Sequence, residues 1–378
     1  MNQHQDQAAP ADGPNPKSLW WSLVIGLLLA FGILEYAAHR WLFALEQAAY
    51  GRETSAAEAR DFVCQGASNH PICAAAFARA GRPPAALWLG NSQLAAINRM
   101  QQGDRNAPAI LHSDLAARGR YLVSYQMPNA SLDEHLLTVE ALLPTFNPRL
   151  VILPICYDDI RETTIRADVR AMIDMPGVRA SMVADPFGAE MLRVAAAGTT
   201  DAEVSTEDPK SVRPKVEAAL VDWLEAHSSL WAKRDSLRGM LGFAIHTLRN
   251  KILGINSQSK RPVPPSLEAE RLARLNQFLG EMRSRGTRVL IYVPPYRQNV
   301  SGPYVAADYA RFKARLAAMA AANGARYADL DNIVPGPEWG MVTDDLFGFQ
   351  EYDFMHFTAA GHQRLANGVD AQLRAMQF

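Results

Sequence analysis

Neither sign of charge dominates this sequence: 38 lysines and arginines stand against 39 aspartates and glutamates in 378 residues. It has no polybasic tail and no basic stripe, which argues against nucleic acid as a partner. No glycine-rich loop follows a strand-like run, so nucleotide phosphates lack a cradle. Cysteines and histidines do not cluster, and His356 and His362, six apart, would fall on different faces of a helix, so no zinc site is expected. Asp344 and Asp345, like Asp158 and Asp159, read better as solvated loop carboxylates than as cation ligands. No internal repeat is visible, and no cofactor is implied.

Cysteine is scarce, with three in the chain. Cys64 and Cys73 bracket a short polar stretch between two helix-like segments, a spacing that suits a local disulfide in an oxidising compartment; two unrelated small residues are the other reading. Cys156 lies in an apolar run and reads as a buried thiol rather than a nucleophile.

Long apolar runs are equally scarce. Between Lys17 and Glu35 there is no charge, and residues 19–34 are almost wholly apolar. At 1.5 Å per residue they cover roughly 25 Å, a little short of a hydrocarbon core. Trp20 and Trp21 before the run, and Tyr36, His39, Arg40 and Trp41 after it, suit the headgroup layers. A cleaved signal peptide would want a shorter run and a better cleavage site than Tyr36-Ala37-Ala38 offers, and a buried helix is the remaining reading. The expected layout is a cytoplasmic tail (1–17), a transmembrane anchor (18–36), a helical connector (37–83) and a catalytic body (84–378). One lysine before the span and one arginine after it leave its orientation undecided by charge.

From residue 84 short apolar runs alternate with helical patterns. The runs are residues 85–89, 121–125, 150–156, 289–293 and, more weakly, 325–330. Near-continuous runs of this length predict strands buried on both faces of a parallel sheet. Ser131 and Glu134 form a capping box before one helix. Ser266 is placed to cap another that stops at Gly286, a third stops at Gly324, and a last begins after Thr358. The predicted fold is α/β, a doubly wound and mainly parallel five-stranded sheet, whose reactive groups lie beyond the carboxyl ends of the strands. Residues 161 to about 265 are too long for one crossover and read as a helical insertion. Its apolar and basic residues between Val216 and Leu253 suit packing on the body or contact with a membrane or membrane partner.

Two motifs carry chemistry. Gly90-Asn91-Ser92 follows the first strand and opens a helix, where N-terminal amides can donate to an oxyanion. Taken alone, a helix-capping serine explains it as well. Far along the chain, on an expected loop leading into a terminal helix, Asp353-Phe354-Met355-His356 sets a carboxylate three residues before an imidazole. One ring nitrogen can then be oriented while the other serves a serine.

Together the two blocks resemble the SGNH (GDSL-like) superfamily, in which the serine follows the first strand and Asp-x-x-His precedes the last helix. The resemblance covers residues 84–160 and 266–378. It implies a flavodoxin-like SGNH fold and a catalytic triad of Ser92, Asp353 and His356, with Gly90, Asn91, Asn129 and Asp158 at the oxyanion and substrate positions. Two middle blocks depart from the family. Asn129 stands where a glycine amide is expected, and Asp158 where an asparagine side chain is expected; an ionised Asp158 facing an oxyanion would oppose it. The layout further resembles a branch containing the D-alanine transfer protein of teichoic-acid modification and alginate acetylation proteins. That resemblance implies a body on the periplasmic side of a bacterial inner membrane, with a membrane-bound O-acyltransferase (MBOAT) partner. It also implies transfer of an acyl group, acetyl foremost, through Ser92 to a hydroxyl of a cell-envelope or secreted glycan. An SGNH esterase or deacetylase, or a glycan-presenting scaffold without activity, are the other outcomes.

Overall fold

The computed structural model describes residues 61–64, 66–197, 256–343 and 350–378, with Leu253 and a few residues between 25 and 36. The expected tail, most of the anchor, connector residues 37–60 and insertion residues 198–252, 254 and 255 lie outside the described residues. Among those described, no helix is long and apolar enough to cross a membrane. The chain divides into two compact units, residues 1–50 with 205–247 and residues 51–204 with 248–378. The second holds every described element from Val63 onward.

Six parallel strands form its sheet: β1 (Val63–Cys64), β2 (Ala85–Gly90), β3 (Tyr121–Gln126), β4 (Leu150–Pro154), β5 (Arg288–Val293) and β6 (Arg326–Asp329). Their order is β1-β3-β2-β4-β5-β6, so the chain winds outward from β2 in both directions. Side chains alternate between two cores, as a strand's period of two demands. Leu87, Leu89, Val123, Val151, Leu153 and Ile291 enter one; Ala86, Trp88, Leu122, Ile152, Leu290 and Tyr292 enter the other. Both cores are sealed by helices, which is why the strands read as unbroken apolar runs. Trp88 and Tyr292, each fully buried, satisfy their polar ends on one another through an Nε1-to-hydroxyl bond of 3.0 Å.

The first core is covered by α1 (Gly66–Arg79), α4 (Leu132–Phe146), α8 (Pro265–Ser284) and α9 (Ala306–Asn323). The second is covered by α3 (Ala107–Ala116) and α10 (Ala359–Ala375). The α4 capping box is complete: Glu134 N donates to Ser131 Oγ, and Ser131 N donates to Glu134 Oε2. Gly324, at φ +69°, ends α9 in the left-handed region that glycine enters without strain.

Four expectations change. Five strands become six, because Val63–Cys64 pairs with Ser124 and Tyr125 at the sheet edge; the body therefore begins before residue 84, within the expected connector. The expected Cys64–Cys73 disulfide is present, with a Cα–Cα distance of 5.9 Å, but its setting differs: Cys64 ends that strand and Cys73 lies inside α1, where a loop between two helices was expected. Three helices of the expected insertion, α5 (Ala167–Ile173), α6 (Pro176–Ala184) and α7 (Pro186–Ala197), belong to the body and send Met172, Met182 and Phe187 into the first core. Finally, the Asp-x-x-His block lies on a strand rather than a loop: β8 (Gln350–Phe357) pairs antiparallel with β7 (Trp339–Thr343) as a separate ribbon.

Candidate active site

Ser92 opens α2 (Ser92–Ala95), a single turn directly after β2. Gly90, the last residue of β2, has no room for a side chain: a Cβ there would lie 2.2 Å from the Leu94 side chain. Asn91 caps the turn, accepting from Gln93 N at Oδ1 (3.0 Å) and donating from Nδ2 to Cys156 Sγ (3.1 Å). Its side chain is thus buried and committed inward, a capping role where the sequence suggested a substrate contact. Leu94 N is taken by Asn91 O, whereas Ser92 N donates to no described acceptor and stays open for an oxyanion. With one helical turn behind it, that amide acts as a local donor rather than through a summed helix dipole.

The Asp353 carboxylate is surrounded by donors. Oδ1 accepts from Met355 N and His356 N, both at 2.9 Å, and Oδ2 accepts from His356 Nδ1 (3.1 Å) and Asn98 Nδ2 (2.9 Å). Burial pushes this carboxyl up, but the hydrogen bonds and charge of His356 and the two amides outweigh it and hold the group below its ordinary value. An ionised carboxylate only accepts, so Nδ1 of His356 carries its proton and Nε2 is left as a base. The His356 side chain is 28% exposed, open enough to meet a substrate.

The serine and histidine segments are joined. Asn98 N donates to Phe357 O at 2.9 Å, and Asn98 Nδ2 reaches Met341 O (3.3 Å) as well as Asp353. His362, on α10, accepts from Ala107 N at Nδ1 (3.2 Å) and donates from Nε2 to Ala96 O (3.1 Å). Burial pulls His362 down to about 4, so it is a neutral staple under the serine turn. Among the described residues no hydrogen bond joins Ser92 Oγ to His356; such bonds often tighten only around substrate.

Asn129 explains its own departure from the family. Pro128 and Asn129 form a turn closed by Ala130 N to Met127 O (3.2 Å), with Asn129 at φ +53°. This is a type II arrangement, which needs a left-handed residue at its third position; after glycine, asparagine enters that region most readily. Met127 N donates to Gly90 O (2.8 Å), setting the turn beside the serine. Arg166 holds it from behind, bonding Pro128 O and, through Nε and Nη2, Glu134. Asp158 starts a short helical turn, Asp158–Ile160, and its carboxylate accepts from Tyr304 (3.0 Å) with Arg261 at 3.7 Å. Its charge therefore has partners of its own.

Asn98 was not legible in the sequence, since nothing in Ile97-Asn98-Arg99 points to an aspartate 255 residues away. Behind the serine turn lies a polar cluster that the sequence also hid. Asp159 accepts from Cys156 N (3.0 Å), and the fully buried His135 stands 3.8 Å from it. Burial pushes Asp159 well up and pulls His135 down to about 4.

Residues 252–364 match the model of the GDSL-like Lipase/Acylhydrolase family, a stretch that includes Asp353 and His356 but not Ser92. No curated protein matches the sequence. Similar solved structures include TesA, with 15% identity, 77% of this chain and 98% of that one covered, and a TM-score of 0.37. They also include LAE5, an alpha/beta hydrolase enzyme from the metagenome of Lake Arreo, Spain, at 12% identity, coverage of 76% and 94%, and a TM-score of 0.39. A variant of Axe2, an acetyl xylan esterase from Geobacillus stearothermophilus, gives 11%, 77% and 93%, and 0.37. At such scores the likenesses carry no chemistry from one chain to the other. Over residues 252–364 the chain is thus similar to the GDSL-like Lipase/Acylhydrolase family, and the serine turn and the Asp-x-x-His strand agree with the resemblance to the SGNH superfamily.

Proposed function

We propose that this SGNH-type enzyme opens acyl esters, acetyl esters foremost, through a covalent ester on Ser92. The observation that supports it most is the fully bonded Asp353 carboxylate, which leaves His356 Nε2 as a base on the strand tied to the serine segment. In the first half-reaction His356 Nε2 takes the Ser92 proton as Oγ attacks the acyl carbonyl. The oxyanion is received by Ser92 N–H and the Asn129 turn, and Asp353 steadies the imidazolium. The imidazolium returns its proton to the departing alkoxide, leaving acyl-Ser92. Water completes an esterase cycle; a glycan hydroxyl completes a transferase cycle.

The finer reading is O-acetyl transfer to a cell-envelope or secreted polysaccharide beside an MBOAT partner, on the periplasmic face of a bacterial inner membrane. It draws on the apolar run of residues 19–34, the Cys64–Cys73 disulfide and the layout of the resembling branch. The scaffold alternative rested on an uncompensated Asp158 charge, and the Tyr304 and Arg261 contacts remove that motive.

The test is a serine-directed fluorophosphonate on the purified protein, with the labelled peptide mapped. Attachment at Ser92, lost in Ser92→Ala and His356→Ala, is expected. Absence of labelling in the folded wild type overturns the reading. Incubating acetyl-labelled enzyme with glycan and with water then separates transfer from hydrolysis.

A further inference from the structure

Arg297, in the segment after β5, is 6% exposed, and among the described residues no carboxylate lies within 4 Å of its guanidinium. Buried charges are ordinarily paired, so an arginine without a carboxylate needs a reason. Its contacts supply one. Nη1 donates to Gly340 O of β7 (2.7 Å) and to Asp353 O of β8 (3.4 Å), while Nε donates to Asn299 Oδ1 (2.9 Å). The guanidinium lies 4.6 Å from the centre of the Tyr352 ring, the residue before Asp353. The cation therefore grips both strands of the ribbon where Asp353 departs. Gly340 is the crossing point: Asn98 packs on it so closely that a Cβ there would lie 1.8 Å from the Asn98 amide carbon.

We infer that Arg297 is a positioning residue for the Asp353–His356 pair. It fixes the β8 backbone at Asp353, so that the carboxylate meets Nδ1 and Nε2 is presented to Ser92. The inference rests on the proposed serine mechanism.

The test measures the fluorophosphonate labelling rate at Ser92 against probe concentration in the full protein, for wild type, Arg297→Lys and Arg297→Met, each checked for folding by its melting curve. Arg297→Met is expected to label about tenfold to a hundredfold more slowly at saturating probe, as small displacements of a catalytic group do. The half-saturating probe concentration should stay at the wild-type value. Arg297→Lys loses the planar fork, so its rate should fall as well, though by less. Wild-type rates in both variants, or a loss confined to probe binding, overturn the inference while leaving Ser92 chemistry intact. If Arg297→Met does not fold, an unchanged rate in Arg297→Lys overturns it alone. A wild type that never labels at Ser92 overturns the serine reading instead.

Discussion

Asp353 and Asp159 are buried to nearly the same depth, 4% and 3% exposed, yet their carboxyls shift in opposite directions. Asp353 receives four donors, two from backbone amides, one from Asn98 and one from His356. Asp159 receives the Cys156 amide and hydrogen bonds from the Asn91 side chain and the Cys156 thiol, and it stands beside the like charge of Asp158 and a histidine that burial pulls down. Burial raises both carboxyls; at Asp353 the hydrogen bonds and charge of His356 and the backbone amides outweigh it, and at Asp159 the donors do not. The lowered one orients a base; the raised one lies under the serine turn.

The largest effects set the scale for that contrast. Ser92→Ala and His356→Ala should each lower turnover of a simple acetyl ester by 10³-fold or more, on the order seen when a triad member is removed, with the melting curve intact. Asp353→Asn should cost less than either, about 10²- to 10⁴-fold, because the geometry survives while the charge is lost. Asp159→Asn is the counterpart: its turnover should stay within a few-fold of wild type. Equal losses from the two asparagine substitutions would break the contrast.

A smaller effect is expected at Asn98. Its replacement by alanine removes one of four donors, and turnover should fall about tenfold, near the worth of a hydrogen bond to a charged group. The subtlest effect is in stability against pH. The depressed Asp353 stabilises the fold above the unfolded carboxyl value, and that contribution is lost as pH falls through its folded value. The raised Asp159 works the other way, its contribution present at low pH and lost as pH rises through its folded value. Urea unfolding of wild type and Asp159→Asn at pH 5 and pH 8 should therefore show the variant gaining on wild type at the higher pH. A gain independent of pH would mean that Asp159 titrates as an ordinary carboxylate.

The sheet was legible because both of its faces are sealed, and sealed strands write themselves as apolar runs. β2 and β5 were placed within a residue of their ends. Val63–Cys64 escaped, since two residues carry no period. The serine and the Asp-x-x-His block were legible because their spacing is local: Asp353 caps the amides of the residues two and three beyond it. What lies between them was not. Asn98 and Arg297 meet Asp353 only through the fold, and Asn129 looked like a departure until its positive φ showed that the turn accepts asparagine in place of glycine. Likewise Asp158 looked unopposed because Tyr304 and Arg261 stand more than a hundred residues away.

Asn98 and Asp353, in contact in the folded protein, are separated by 255 residues of chain. At the usual 5–20 residues per second of synthesis, some tens of seconds pass between the appearance of the serine turn and that of its base. Throughout that interval Ser92 is an ordinary alcohol with nothing to take its proton. A growing chain therefore cannot acylate itself, or strip esters from what it passes, until the ribbon has closed over the serine turn.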